Sequence, residues 1–159
     1  MTKFHQGHFE PTRPEKYVGK RRPIYRSSWE LRLMEMCDNN PAVTAWASEN
    51  DRIPYIHPFT GKATHYVPDF MICFTDETGR NHIEMIEVKP SSQSSLEEAK
   101  TAAQKEQAII NAVKWQAAAA WCDHHGIRFR VITEEDIFRT RKKRVRKARI
   151  PRARLKRKK

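Results

Sequence analysis

Apolar residues recur at helical spacing from Trp29 through Leu33, Met36 and Cys37, and Ser27 or Ser28 supplies a cap, so the pattern predicts a helix to about Asn39. Asn39-Asn40-Pro41 ends it, because a proline pushes the preceding residue out of the helical region. The period then shortens to two. Ile53-Pro54-Tyr55-Ile56, the turn Pro58-Phe59-Thr60-Gly61-Lys62 and the run from Tyr66 to Phe74 read as a hairpin, and the turn Thr75 to Arg80 leads into a third strand ending at Lys89. Ser95 is positioned to cap a long Ala-rich helix that stops near His125-Gly126, with Trp115 and Trp121 packed on the sheet and Trp29 and Trp46 in the core. Ile127 to Ile132 alternates as a fourth strand, and Thr133 opens a short helix. The predicted order is α-β-β-β-α-β, an α/β fold.

The first 26 residues carry no sustained apolar period, and their prolines predict an extended arm lying over a surface. With 159 residues, 38% of them hydrophobic and 31% charged, the chain holds one core plus appendages. Charge divides it further. Fourteen of the 31 Lys and Arg residues fall between Arg139 and Lys159, a stretch that contains no acid, and the arm adds seven basic residues against two acidic ones. Residues 27–138 are left with ten basic and seventeen acidic residues. The expected organisation is a basic arm over 1–26, a folded domain over 27–138 and a basic, disordered tail over 139–159. Basic extensions around an acidic body suit phosphate binding by counterion release, with Arg141, Lys142, Lys143 and Arg144 as candidate DNA contacts. No apolar run approaches the roughly 20 residues of a membrane span, and no leader is visible, so an intracellular protein without membrane contact is expected. Cys37, Cys73 and Cys122 lack zinc-type spacing and are expected to be reduced thiols.

The candidate chemistry lies in three short stretches: Trp29-Glu30, Pro68-Asp69 and Glu87-Val88-Lys89. Side chains alternate along a strand, so Glu87 and Lys89 share a face while Val88 points away, and a hairpin sets Asp69 beside Glu87. Such hard oxygen donors suit Mg²⁺, with Mn²⁺ able to substitute, because that ion retains waters and bridges a few carboxylates to substrate phosphate. Lys89 is placed to orient or deprotonate a water, or to offset developing charge. Taken singly, Asp69 reads as a turn residue, Glu87 and Lys89 as an exposed strand face, and Glu30 as an acid in the first turn of a helix. Their order along the chain is what outweighs those readings. Arg26 beside a helix start and Lys114 are further candidate DNA contacts. Glu49 reads as support, and His124 and His125 as a helix end without a site.

That order of acids, acids and lysine resembles the PD-(D/E)XK restriction-endonuclease-like fold over residues 25–138, which implies a mixed central sheet flanked by helices. More narrowly, Tyr25-Arg26-Ser27-Ser28-Trp29-Glu30, Trp46-Ala47-Ser48-Glu49, Ile53-Pro54-Tyr55, Tyr66-Val67-Pro68-Asp69-Phe70, Glu87-Val88-Lys89-Pro90 and Lys114-Trp115-Gln116-Ala117 are similar to the head-completion nucleases of T-even-type tailed phages. The resemblance implies a virion-assembly endonuclease with a centre like that of transposon end-cutting enzymes, acting after genome packaging and before tail joining. Asp69 and Glu87 match the metal-binding acids, Lys89 the motif lysine, and Glu30 the helix acid supporting the metal or its water. The implied partners are DNA and proteins of the portal vertex, without a small-molecule cofactor, in the host cytoplasm during assembly or in the virion head. Two other readings stand beside this one: a junction-resolving or transposition-type endonuclease, and a structural factor gripping DNA and portal.

Overall fold

A computed structural model describes residues 6–137. The candidate contacts Arg141, Lys142, Lys143 and Arg144 lie outside the described residues. Two short strands, β1 (Gly7–His8) and β2 (Ile24–Tyr25), pair with each other ahead of helix α1 (Ser28–Asn39). Five strands follow: β3 (Val43–Ser48), β4 (Ile53–Ile56), β5 (Ala63–Tyr66), β6 (Phe70–Thr75) and β7 (Asn81–Val88). Helix α2 (Ala102–His124) then crosses to β8 (Arg128–Ile132), and residues 134–137 are helical. The central sheet has the order β3-β6-β7-β8, antiparallel except for the parallel β7–β8 pair that α2 connects. This is the mixed sheet and the α-β-β-β-α-β order expected, with one exchange of strands.

The exchanged strand is β3. The first sheet strand after α1 is Val43–Ser48, while Ile53–Ile56 pairs only with Ala63–Tyr66 in a separate two-stranded sheet. A register shift between Val43 and Ala45 puts both Val43 and Trp46 on the core side, which breaks strict alternation and hides the strand from a period-two search. The predicted run from Tyr66 to Phe74 is likewise interrupted at Val67-Pro68-Asp69. Pro68 has no N–H to give to a ladder, so the chain leaves the hairpin there and enters the main sheet at Phe70.

Each sheet face has its own apolar cluster. Leu33, Met34 and Cys37 of α1 cover Ile72, Ile86 and Val88 on one face, and Ala118 and Cys122 of α2 meet Ile53, Tyr66 and Met85 on the other. Full burial of a side chain the size of Met34 or Ile53 stabilises the fold by about 1.5–3 kcal/mol. The α1 stripe differs from expectation at one position: Met34 is completely buried and Met36 is 46% exposed. The buried set Glu30, Leu33, Met34, Cys37 and Asp38 follows the i, i+3, i+4, i+7 rule, which Met36 does not join. Helix α2 starts later than Ser95 predicts. Thr101 caps it, since Thr101 and Gln104 form a reciprocal capping box in which each side chain accepts the other's backbone N–H. Gly126, at φ 68°, ends it where the chain must reverse.

The arm folds against this body. Phe9 and Tyr17 contact the buried Trp46 edge-on at 5.9 and 4.7 Å, and the Val18 N–H donates to Trp46 O at 2.9 Å along the open edge of β3. Asp38 fastens the arm to α1. Its carboxylate accepts from the Thr12 N–H at 2.8 Å, the Thr12 hydroxyl at 2.6 Å and the Arg13 N–H at 3.0 Å, while Lys16 Nζ donates to the carbonyls of Asp38 and Asn40. All three cysteines are free thiols, and burial pushes Cys37 up to about 12 and Cys122 to about 11. No helix of the described residues is long and apolar enough to cross a membrane.

Burial opposes the charge on Asp38, but the Thr12 hydroxyl, the two amides and Lys16 together hold its pKa below the ordinary aspartate value. A lowered folded pKa contributes stability that is present above the unfolded value near ~3.9 and is lost as pH falls through the folded one. Asp38→Ala is therefore expected to cost about 2–4 kcal/mol at neutral pH, since it leaves the Thr12 and Arg13 donors unfilled. Denaturant melts of both proteins at pH 7 and below pH 4 check this: the difference should shrink in acid, and a difference that grows there contradicts it.

Candidate active site

The strand break positions Asp69. Phe70 pairs with Ile86 in the antiparallel β6–β7 register, so Asp69, one step earlier, stands opposite Glu87. Its Oδ2 accepts the Val88 N–H at 2.8 Å, a side-chain bond taking the place of a ladder bond. Glu87 and Lys89 lie on the α2 side of the sheet and Val88 in the α1-side cluster, as strand alternation predicts. Lys89 Nζ is 3.2 Å from Glu87 Oε1, and the Lys89 N–H donates to Ile132 O at 2.9 Å, which ties the motif to β8. Glu87 Oε2 accepts from the Tyr66 hydroxyl at 2.6 Å. Both oxygens of this acid, which is only 4% exposed, are therefore held.

Glu30 combines its plain role with a place at the site. As an acid in the first helical turn it accepts the Arg26 N–H, while its own N–H donates to the capping Ser27 hydroxyl at 3.2 Å. Burial raises its pKa most, the Arg26 amide opposes this, and the charges of Glu49 and Glu87 raise it further. For Asp69 the direction is the same and stronger. Burial leads, Glu87 and Glu30 add to it, and the Val88 N–H and Lys89 only partly compensate. Three carboxyls from α1, the β5–β6 junction and β7 thus share one electrostatic site. Among the described residues no three His, Cys, Asp or Glu side chains are grouped so as to hold a metal ion.

The remaining candidates fall into two groups. Arg26 forms a two-point pair with Glu49, Nε to Oε1 at 2.7 Å and the second nitrogen to Oε2 at 3.2 Å, at the rim of the acid cluster. Glu49 takes a left-handed conformation at φ 47° and donates its N–H to Asp69 O at 2.9 Å, so it supports the Asp69 backbone. Lys114 lies on α2 with its ammonium over the rings of Tyr55 and Tyr66. Trp115 and Trp121 pack against the α2-side cluster, and His125 stacks on Trp121 at the helix end. Tyr66 is the residue that sequence reasoning missed. Burial first and then Glu87 raise its pKa, so it remains a protonated donor, and the buried Trp115 Nε1 lies beside the same oxygen without forming a hydrogen bond. A tyrosine three residues ahead of Asp69 was visible, but nothing in one sequence links it to Glu87 across twenty-one positions.

Known proteins similar to this chain bear on the site. The model of the family described as TnsA-like endonuclease N terminal matches residues 40–134, a span that includes Asp69, Glu87 and Lys89 and begins after α1. The chain is also 33% identical over 142 residues to the head completion nuclease of Enterobacteria phage T4, covering 84% of this chain and 93% of that relative. With a mixed sheet between helices and the acids and lysine at the ends of its β6 and β7 strands, the chain belongs to the TnsA-like endonucleases of restriction-endonuclease-like fold.

Proposed function

We propose that this chain is a Mg²⁺-dependent DNA endonuclease that works in phage head completion, after genome packaging and before tail joining. The observation that carries the reading is the convergence of buried, mutually repelling carboxyls of Asp69 and Glu87 with the ammonium of Lys89. Repulsion of this kind is relieved by a cation, and carboxylate oxygens are hard donors that suit an ion taking its other ligands from water and phosphate. Asp69 and Glu87 would hold it, with Glu30 supporting the ion or its water; Mn²⁺ has the same preference for oxygen donors. When bound, it supplies positive charge to the phosphodiester. Tyr66 and Lys89 fix the Glu87 carboxylate from two sides, and Val88 fixes Asp69. Lys89 then orients the attacking water or offsets charge as the water oxygen bonds to phosphorus and one sugar oxygen departs, leaving a phosphate monoester and a hydroxyl.

The folded unit of residues 27–138 carries the chemistry, and the basic stretches 1–26 and 139–159 hold DNA, the latter through Arg141, Lys142, Lys143 and Arg144. Portal-vertex proteins are the partners that head completion implies, and the relative's name supports that setting. A second substrate reading is a junction-resolving or transposition-type endonuclease, with branched DNA or specific ends in place of linear duplex.

Cleavage of linear, single-stranded and branched DNA with Mg²⁺ tests both. Asp69→Ala and Lys89→Ala are expected to lower the rate by at least about 100-fold with DNA binding retained, and heads completed with them to remain unjoined to tails. Tight binding with no cutting by the wild type would instead point to a structural factor. Tyr66→Phe keeps the ring and removes the donor to Glu87, so the rate should fall by about tenfold, and an unchanged rate would remove Tyr66 from the site. The acid cluster also has a signature in stability. A raised folded pKa means that stability declines as pH climbs from the ordinary aspartate range through the raised value. In EDTA at pH 7, Asp69→Asn should raise the melting temperature by at least about 2 °C, and the gain should vanish near pH 4. A loss of stability at pH 7 would contradict the buried repulsion.

A further inference from the structure

The site contains a cation with no anion of its own. Lys114 is half-buried on α2, and its Nζ lies 5.8 Å from the ring centre of Tyr55 and 5.7 Å from that of Tyr66. These tyrosines are diagonal neighbours on adjacent strands of the β4–β5 hairpin. Among the described residues Lys114 has no carboxylate within ion-pair distance and no hydrogen-bond acceptor, although it lies in the fields of both Lys89 and Glu87. Ring faces attract an ammonium, yet they leave its three N–H donors unfilled. A lysine on an open helix face carries its head into water. Here packing on the hairpin holds the head against the wall of the acid site, where burial and the neighbouring Lys89 both disfavour its charge. Tyr66 links the two halves of the arrangement: its hydroxyl holds Glu87 and its ring face holds Lys114.

We infer that Lys114 is the phosphate clamp of this site, its ammonium binding a non-bridging oxygen of the phosphodiester that is cut. The inference rests on the nuclease reading above. Lys89 is already paired with Glu87, so of the two lysines at the site Lys114 has the uncommitted charge. A phosphate entering between them would supply the missing acceptor. As the water oxygen bonds to phosphorus and the bond to the sugar oxygen breaks, an ammonium already in place stabilises the oxygens that accumulate charge and needs little reorganisation.

Single-turnover cleavage at saturating protein, with DNA affinity and melting temperature measured alongside, tests this on wild type, Lys114→Met and Lys114→Arg. Lys114→Met is expected to lower the saturated rate by about 100-fold, as losing a transition-state donor does. Affinity should change by less than about threefold, because one phosphate contact among many is a small share of binding. Lys114→Arg should recover part of the rate. An unchanged rate, or a loss that added protein fully restores, overturns the inference. A second measurement is independent of cleavage: the NMR signal of the Lys114 ε-methylene, assigned by its absence in Lys114→Arg, during titration of the wild type with thymidylyl-thymidine. Movement of that signal supports the clamp, and a signal that stays still overturns it. If the wild type cuts no DNA, the nuclease reading fails and this titration alone decides the role of Lys114.

Discussion

Asp69 reaches across to the Val88 amide, and the arrangement of the site follows from that bond. Pro68 cannot donate to a ladder, so the backbone is free to leave the β4–β5 hairpin just where a carboxylate follows. The side chain then takes the hydrogen bond that the backbone gives up, which fixes it beside Glu87 at the start of β6. Asp69 is thereby held in a buried setting where the neighbouring Glu87 charge opposes its ionisation. Nothing in this arrangement favours folding as such. The body carries it because the clusters on the two faces of the sheet and the Asp38 clamp on the arm supply stability elsewhere.

The same division explains what one sequence makes visible. Features that depend on neighbouring positions were legible: the α1 boundaries, the alternation that separates Glu87 and Lys89 from Val88, and the end of α2 at His125-Gly126. Their causes are caps, breakers and period, all local. What escaped required either a local irregularity or a contact between distant segments. The β3 strand was hidden by its bulge, which sets Val43 and Trp46 on one side. Ser95 with Glu98 and Thr101 with Gln104 both spell a capping box, and the structure uses the second, a choice that local spacing does not make. Met34 and Met36 have similar chemistry, and Met34 is the one on the face of Glu30, Leu33 and Cys37 that α1 buries. Tyr66 joins the site, and Lys114, a candidate DNA contact from the sequence, comes to lie beside it, only because the hairpin folds under α2, a contact that no spacing along the chain expresses.

Electrostatics unites the local and the distant parts. Residues 27–138 carry seventeen acids against ten basic residues, and three of those acids sit where DNA would have to approach. A polyanion is repelled by such a body. The basic residues needed to overcome this lie mainly outside it, in the arm and in the stretch from Arg139 onward. The arm is anchored through Asp38 and Trp46, so its Lys20, Arg21 and Arg22 are carried on the folded body and its neighbour Arg26 stands beside the acid rim. Inside the site, charge is balanced unequally. Lys89 is neutralised by Glu87, Arg26 by Glu49, and Lys114 is held by aromatic faces that contribute no countercharge. The acid side is therefore net negative in formal charge and the Lys114 side net positive. On the proposed reading a metal ion beside the acids and a phosphate on Lys114 would each offset one side, so either one alone would leave half of the imbalance in place, while both together would remove it.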